Sequence, residues 1–267
     1  MRPRYLIGTT SFIHRAGWLE NAERLAGRVR DVELLLFDLD GGFPAPSEIA
    51  GLVRLAHETG LGYTVHTPLD VVLASADEAR RRESVDRVAR AIAIAAPLAP
   101  RGYVVHLVPG EREGQLSADG DMWRGRAERS IRELLATGIA PAAICLESLD
   151  EGFAALEPLL DAFGLSAALD LGHLARDRHP FDALLARNLA RTRIVQWHGT
   201  DPSGRDHRSL RELPRADALR LVRTLALAGW NGVLTLEVFS ERDLDDSLAA
   251  LADLEAEALG AAAEASP

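Results

Sequence analysis

Short apolar segments alternate with longer amphipathic segments along the 267 residues of the chain. The short segments are typical of parallel strands covered on both faces, and the longer ones of helices with one buried stripe. We predict strands at 5–10, 32–38, 61–66, 102–108, 142–147, 166–172, 193–199 and 232–239. Helices are predicted near 18–28, 77–96, 121–137, 151–163, 180–190, 214–228 and 241–258, with a further helix that follows Pro46 and has Ser47 as its N-cap. Eight strand–helix pairs favour an α/β fold, a closed (β/α)8 TIM barrel, over an open sheet.

The chain length suits one barrel domain, which we predict to span 1–258, followed by a flexible, low-complexity tail at 259–267. No signal peptide or membrane-spanning apolar run is recognisable, so a cytoplasmic location without membrane contact is expected. The long loop at 109–121 follows strand four. It is a candidate lid or substrate contact, with a plain surface loop as the alternative.

Charge and composition exclude several function classes. The formal net charge of −10 disfavours a general nucleic-acid-binding role, which normally needs a basic face. Every basic residue other than histidine is arginine, so lysine Schiff-base chemistry and a P-loop lysine are both excluded. The single cysteine, Cys145, lies in an apolar strand and is predicted to be a buried, inert thiol.

Imidazole and carboxylate side chains end six successive predicted strands, three to eight. They are His66, His106, Glu147, Asp170, His198 and Glu237. In a barrel these strand ends converge on one mouth, and the residue types are those preferred by first-row divalent metals. Burial of so many ionisable groups without a metal would be costly. A salt-bridge network is the alternative, but no arginine stands beside them at the strand ends.

Two further segments add ligands. In LDLGH (169–173), Gly172 is expected to permit a sharp turn that brings His173 back to the mouth. Gly199 and Gly204 bracket a loop predicted to be flexible, which could return Asp206 and His207, although a solvated polar loop is the alternative. Nine ligands exceed what one ion can hold, so we predict two or three divalent ions per chain, with Zn or Mn favoured and Fe or Co also tolerated.

Other residues near the mouth are candidate substrate contacts. Thr10 and Ser11, with Thr9, end strand one, and Arg205 stands next to the loop ligands. Trp197 precedes a ligand, and the alternation of side chains along a strand predicts that it packs in the core instead.

The pattern resembles the xylose-isomerase-like barrel superfamily (AP endonuclease family 2), which includes sugar epimerases and endonuclease IV. The resemblance covers nearly the whole chain. The resemblance to the epimerases implies one metal held by Glu147, Asp170, His198 and Glu237. The resemblance to endonuclease IV implies a three-metal cluster that is completed by His66, His106, His173 and His207, with Asp206. One departure is that Asp206 and His207 are adjacent, whereas that branch separates the acid and the histidine by one residue.

A closer likeness is to the cobamide-remodelling phosphodiesterases (the CbiR family). It rests on the order and spacing of GTTSF (8–12), VELLLFD (32–38), YTVHTPLD (63–70), LESLD (146–150), LDLGHL (169–174), DHRSL (206–210) and GVLTLEVFS (232–240). This resemblance implies hydrolysis in the nucleotide loop of cobamides, the corrinoids related to vitamin B12, for corrinoid remodelling and salvage. The substrate would then be a small molecule.

The leading hypothesis is metal-dependent phosphodiester hydrolysis, with Glu147, Glu237 and His106 as the catalytic residues. Bound ions would lower the pKa of a water toward about 7, and the resulting hydroxide would attack phosphorus. Activity should fall below about pH 6, because ligation needs neutral imidazole. The alternatives are a mononuclear sugar or sugar-phosphate isomerase or epimerase using Glu147 and Glu237 as an acid–base pair, repair of abasic DNA, and a non-catalytic corrinoid-binding barrel.

Overall fold

Eight parallel strands form a closed barrel in the computed structural model, which describes residues 3–37, 42–107, 120–147, 153–176 and 181–264. Each strand pairs with its sequence neighbours, and β1 pairs with β8 to close the ring. The (β/α)8 prediction is therefore confirmed. The strands are β1 (Leu6–Thr10), β2 (Asp31–Leu35), β3 (Gly62–His66), β4 (Tyr103–His106), β5 (Ile144–Glu147), β6 (Ser166–Asp170), β7 (Thr192–Trp197) and β8 (Val233–Leu236).

Helices follow the strands around the outside of the barrel. Within the described residues they are α1 (Trp18–Leu25), α2 (Pro46–Thr59), α3 (Glu78–Ala95), α4 (Gly120–Leu135), α5 (Phe153–Phe163), α6 (Leu171–Arg176), α7 (Asp182–Asn188), α8 (Arg215–Leu227) and α9 (Glu241–Glu264). Short 3-10 turns occupy Ala96–Leu98, Pro141–Ala143, Leu189–Arg191 and Leu210–Glu212. Most of the predicted loop at 109–121 lies outside the described residues.

Three details of the helices differ from the prediction. Ser47 is not the N-cap of α2; Ala45 is, and Pro46 takes the first helical position, where its missing N–H costs nothing. The α9 helix continues to Glu264, beyond the predicted end at 258, and 265–267 lie outside the described residues. The helix α6 begins directly after β6, where a turn was expected, because the Asp170 carboxylate accepts the His173 N–H and caps the first turn.

Strand alternation explains which side chains enter the barrel. Residues two apart point to the same side, so Val104 shares a side with His106, and Cys145 with Glu147. Val104 and Cys145 form a small apolar cluster with Ala168 and Ile194, separate from the large core between barrel and helices. The barrel interior is therefore apolar at the level of these four side chains and becomes ionisable at the carboxyl ends of β4 and β5.

Two core predictions are confirmed. Cys145 is buried and free, and burial raises the pKa of its thiol to about 12, which keeps it protonated. Trp197 is buried in the large core, on the side opposite to His198. Among the described residues, no helix combines the length and the apolar character needed to span a bilayer.

Candidate metal centre

The nine predicted ligands meet at the carboxyl-terminal mouth of the barrel. The candidate ligating atoms of eight of them form three groups, two of which share His198, and within each group these atoms lie within 4.8 Å of one another. The groups are His66–His106–Glu147, Asp170–His198–Glu237 and His173–His198–His207. Asp206 lies beside the third group, with Oδ2 3.5 Å from His173 Nε2.

The first group joins the ends of β3, β4 and β5. Glu147 Oε2 lies 3.3 Å from His66 Nε2 and 3.1 Å from His106 Nε2, so one carboxylate oxygen faces both imidazoles. The rings of His66 and His106 are 4.8 Å apart and nearly perpendicular. All three residues are buried. An ion bound between them could take one ligand atom from each residue.

The second group joins β6, β7 and β8 and contains buried polar atoms without partners. Asp170 Oδ2, His198 Nε2 and Glu237 Oε2 are buried and make no hydrogen bond in the described residues. Unpaired buried groups of this kind are costly, so their convergence at one point fits a site that binds a cation. A cation bound here would satisfy all three atoms.

The third group depends on the loop after β7. Gly199 and Arg208 exchange two backbone hydrogen bonds of 2.8 and 3.0 Å, which close the loop into a hairpin. At Gly199 a Cβ would lie 2.2 Å from the Ser209 carbonyl oxygen, so only glycine fits this close approach. The hairpin returns Asp206 and His207 to the mouth, as predicted.

Gly172 has a role different from the predicted one. Its φ is not positive, and it lies within α6. A Cβ at this position would instead lie 2.3 to 2.5 Å from ring atoms of His198. Gly172 is therefore required by close packing of α6 against a ligand, and the helical turn after Asp170 is what brings His173 to the site.

Backbone carbonyls orient three of the histidines through their second ring nitrogen. His66 Nδ1 lies 2.9 Å from the Thr67 oxygen, His198 Nδ1 3.1 Å from the Gly199 oxygen and His207 Nδ1 3.0 Å from the Glu237 oxygen. A proton on Nδ1 of His66 and of His207 would make this contact a hydrogen bond and leave the Nε2 lone pair for a metal. His198 Nδ1 also accepts the His207 backbone N–H at 3.1 Å.

Electrostatics at the mouth also favour bound cations. Burial, followed by the like charges of Asp170, Glu33 and Glu147, raises the pKa of Glu237 well above its ordinary value. Burial also acts to raise the pKa of Glu147, but His106 and His66 outweigh it and hold that pKa below the usual range. The carboxylates of the cluster thus disfavour one another's charged form, and a bound cation would offset that repulsion.

His198 is suited to ligation at neutral pH. Burial lowers the pKa of its imidazole to about 4, and His207 and His173 act in the same direction while Asp170 opposes them. Burial likewise lowers the pKa of His207. Both rings are therefore neutral near pH 7, which is the form that binds a metal.

A cavity of about 530 Å³ opens over the cluster. Eight of the nine predicted ligands line it, and the ninth, His198, is fully buried behind them. The remaining lining is Phe37, Leu69, Arg176 and Phe239. Arg176 Nη1 pairs with Asp206 Oδ2 at 3.0 Å, so one guanidinium stands at the edge of the site.

Comparison with protein-family models identifies the family. The model of the xylose isomerase-like TIM barrel matches residues 27–260. The chain belongs to this family. A search of curated proteins found no match.

Solved structures with this xylose isomerase-like fold include sugar epimerases and a nuclease. A D-tagatose 3-epimerase-like protein has a TM-score of 0.75 at 20% identity, covering 98% of this chain and 100% of that one. An L-ribulose 3-epimerase has a TM-score of 0.71 at 17% identity over 98% and 100%. Endonuclease IV from Thermus thermophilus has a TM-score of 0.71 at 18% identity over 94% and 99%. The TM-scores show a shared fold, and at identities this low the likeness shows the fold alone.

The adjacency of Asp206 and His207 is accommodated by the backbone. His207 has a φ of 53°, in the left-handed region that a non-glycine residue adopts at a cost of about 1–2 kcal/mol. This turn lets consecutive residues serve one site, with Asp206 near His173 and His207 Nδ1 3.7 Å from Glu237 Oε2. The departure noted in the sequence therefore does not remove either residue from the mouth.

The predicted substrate contacts receive less support. Thr10 is fully buried and donates its hydroxyl to the Val238 oxygen at 2.8 Å, while the Ser11 hydroxyl accepts the Leu35 N–H at 3.1 Å. Arg205 is exposed and outside the cavity lining. Their substrate roles stay predictions that this geometry does not favour, because both hydroxyls are buried and already hydrogen-bonded to backbone groups, and the arginine lies away from the cavity.

Sequence reasoning missed Glu33, Gln196 and Arg176, which lie at or below the site. Glu33 is fully buried in β2 and accepts a 3.2 Å hydrogen bond from Gln196, and burial raises the pKa of its carboxyl to about 7. An acid inside the apolar VELLLFD segment was the available signal. Arg176 carried no such signal, because only the packing of α6 places it beside Asp206.

Proposed function

We propose that this protein is a metal-dependent phosphodiesterase that uses two or three divalent ions. The observation that carries the proposal is the meeting of nine candidate ligands at one cavity, eight of them in three compact groups. A single ion would leave several of these buried groups without a partner, whereas a multinuclear centre uses them all.

The residues fit such ions by chemistry and by position. His66, His106 and Glu147 would hold one ion, and Asp170, His198 and Glu237 a second. His173 and His207 with Asp206 would hold a third. Bound ions would lower the pKa of water and neutralise charge on a phosphodiester.

The chain itself contributes orientation and charge around that centre. Glu147 and Glu237 come from β5 and from the end of β8, and both line the cavity, so each can face a substrate held between them. His106 lines the same wall and contacts Glu147. The Arg176 guanidinium lies where it could hold a non-bridging phosphate oxygen, since planar guanidinium groups bind phosphate well.

The proposed substrate is the nucleotide loop of a cobamide, as the resemblance to the cobamide-remodelling phosphodiesterases implies. The rim of the cavity supports a large, partly apolar substrate. Phe12, Leu69 and Phe239 are 39%, 43% and 41% exposed, and Phe37 contacts both Phe12 and His66. A free sugar offers mainly hydroxyl groups, which such a rim does not bind well, whereas a corrinoid offers a broad apolar face.

The second candidate is a mononuclear sugar epimerase or isomerase. Its supporting observation is that Glu147, Asp170, His198 and Glu237 line or underlie one cavity, in a fold shared with the sugar epimerases compared above. It gives no role to His66, His106, His173 or His207. We therefore place it second.

Removal of one histidine separates the two functions. We expect His66→Ala to lower the bound metal measured per chain and to abolish hydrolysis of a cobamide phosphodiester, because the first ion loses a ligand. His57→Ala is the matched control, since His57 is exposed on α2 and outside the cavity. It should change neither property.

A protein that binds one metal per chain, epimerises a ketose and keeps full activity in His66→Ala would be the mononuclear enzyme. A multinuclear protein that cleaves other phosphodiesters but no cobamide would retain the hydrolase assignment and remove the corrinoid.

A further inference from the structure

A second cavity lies at the opposite, amino-terminal mouth of the barrel. Its volume is about 640 Å³, and its walls come from the starts of β1, β6, β7 and β8 together with the segments that precede β4 and β5. Active sites of this fold use the carboxyl-terminal face, so the metal centre does not account for this cavity.

Three arginines line this amino-terminal cavity, namely Arg101, Arg191 and Arg193. No carboxylate is among its described lining residues. A chain with a net charge of −10 thus concentrates positive charge at one recess. Charge of one sign in a concave, partly enclosed site attracts ligands of the opposite sign.

The partners of these arginines leave donor capacity for a ligand. Arg101 Nε is held by Asp31 at 3.1 Å, and that carboxylate is fully buried behind it rather than in the lining. Arg191 pairs with Asp161, which is exposed, and exposed ion pairs of this kind are weak. Arg193 is exposed and donates Nη1 to the Ala142 oxygen at 2.8 Å, and among the described residues no carboxylate pairs with it.

Neutral hydrogen-bonding groups complete the recess. Ser166 and Thr192 each donate their only hydroxyl proton to a backbone oxygen, so neither is a donor for an anion, whereas Asn231 is exposed at the rim and its amide can donate. Guanidinium forks together with an amide donor suit an anion with several oxygens, above all a phosphate.

We propose that this recess is a binding site for a multiply charged phosphate anion, separate from the metal centre. Arg191 and Arg193 supply the adaptable donors, and Arg101 supplies one fixed by Asp31. The volume exceeds that of a single phosphate group, so diphosphates and organic phosphates belong to the class that it would hold.

Calorimetric titration of the full-length, metal-loaded protein with inorganic pyrophosphate tests this site. Two binding events are expected, one at the metal centre and one at the recess. In the double variant Arg191→Gln/Arg193→Gln the second event should weaken by at least about tenfold, because each lost guanidinium removes charge-assisted hydrogen bonds. The first event should be unchanged.

A matched double variant shows whether weaker binding comes from loss of the recess or from loss of positive charge in general. Arg211→Gln/Arg215→Gln removes the same charge from exposed arginines that lie outside the recess. It should bind pyrophosphate as the parent does. Equal weakening in both double variants, or a single event that His66→Ala abolishes, would overturn the proposal while leaving the metal-centre assignment intact.

Discussion

Substitution of Gly172 by alanine tests whether packing of α6 positions the metal ligands. The added Cβ would lie 2.3 Å from His198 Cδ2 and 2.4 Å from its Nε2, and ordinary contact begins near 3.4 Å. The two must therefore separate by about 1 Å. His198 is fully buried, so the ring has no open space into which to move without displacing its neighbours.

The magnitude follows from this overlap. Overpacking of a tight interior costs about 1–3 kcal/mol, which should lower the free energy of unfolding by that amount. Metal–ligand distances tolerate only about 0.2 Å, so a displaced imidazole cannot keep its bond. Disturbance of the groups that orient a ligand weakens metal binding by about 10- to 100-fold, and loss of the ligand itself should cost at least as much.

The assay is metal content per chain after dialysis, with urea unfolding measured in parallel. Gly125→Ala is the control, because Gly125 lies within α4 and a Cβ there meets nothing within 4 Å. That change should stabilise the protein by about 0.5–1 kcal/mol and leave the metal content unaltered. A Gly172→Ala protein with the parental metal content and stability would refute the packing argument.

Three further predictions concern single groups. Arg176→Gln should raise KM for a phosphodiester about tenfold in steady-state kinetics, because the substrate loses one charge-assisted contact. The metal content should stay unchanged. Loss of metal instead would mean that Arg176 acts by holding Asp206 in place. Burial raises the pKa of Asp31 to about 6, above its unfolded value, so the folded state holds the proton longer and stability should fall as pH rises from about 4 to 6. This pH-dependent loss of unfolding free energy should amount to about 3 kcal/mol in total, and Asp31→Asn should abolish it. Urea unfolding at several pH values measures the loss, and the same pH dependence in the variant would contradict the assignment. Arg81 is 1% exposed and donates to the buried Ser130 hydroxyl as well as to two glutamates, so Arg81→Met should lower the free energy of unfolding by about 1–2 kcal/mol. Exposed Arg82→Met should cost little, and equal losses in urea unfolding would refute the distinction.

The sequence by itself determined the barrel and its set of candidate ligands. Apolar runs separated by amphipathic segments allow few architectures, and a histidine or acid at the end of successive strands must reach one mouth once those strands close a ring. His66, His106 and Glu147 could thus be assembled from β3, β4 and β5 without coordinates, since each property is local to its own strand.

Only the tertiary structure decided the contacts between elements distant in sequence. The close contact between Gly172 and His198, the pairing of Arg176 with Asp206 and the hydrogen bond from Thr10 to the segment after β8 all depend on how α6, β7 and β8 pack. The arginine recess has the same origin, since its three guanidinium groups stand in segments that only barrel closure brings together. Side-chain packing is a property of pairs of elements, and the sequence pattern of a single element does not encode it.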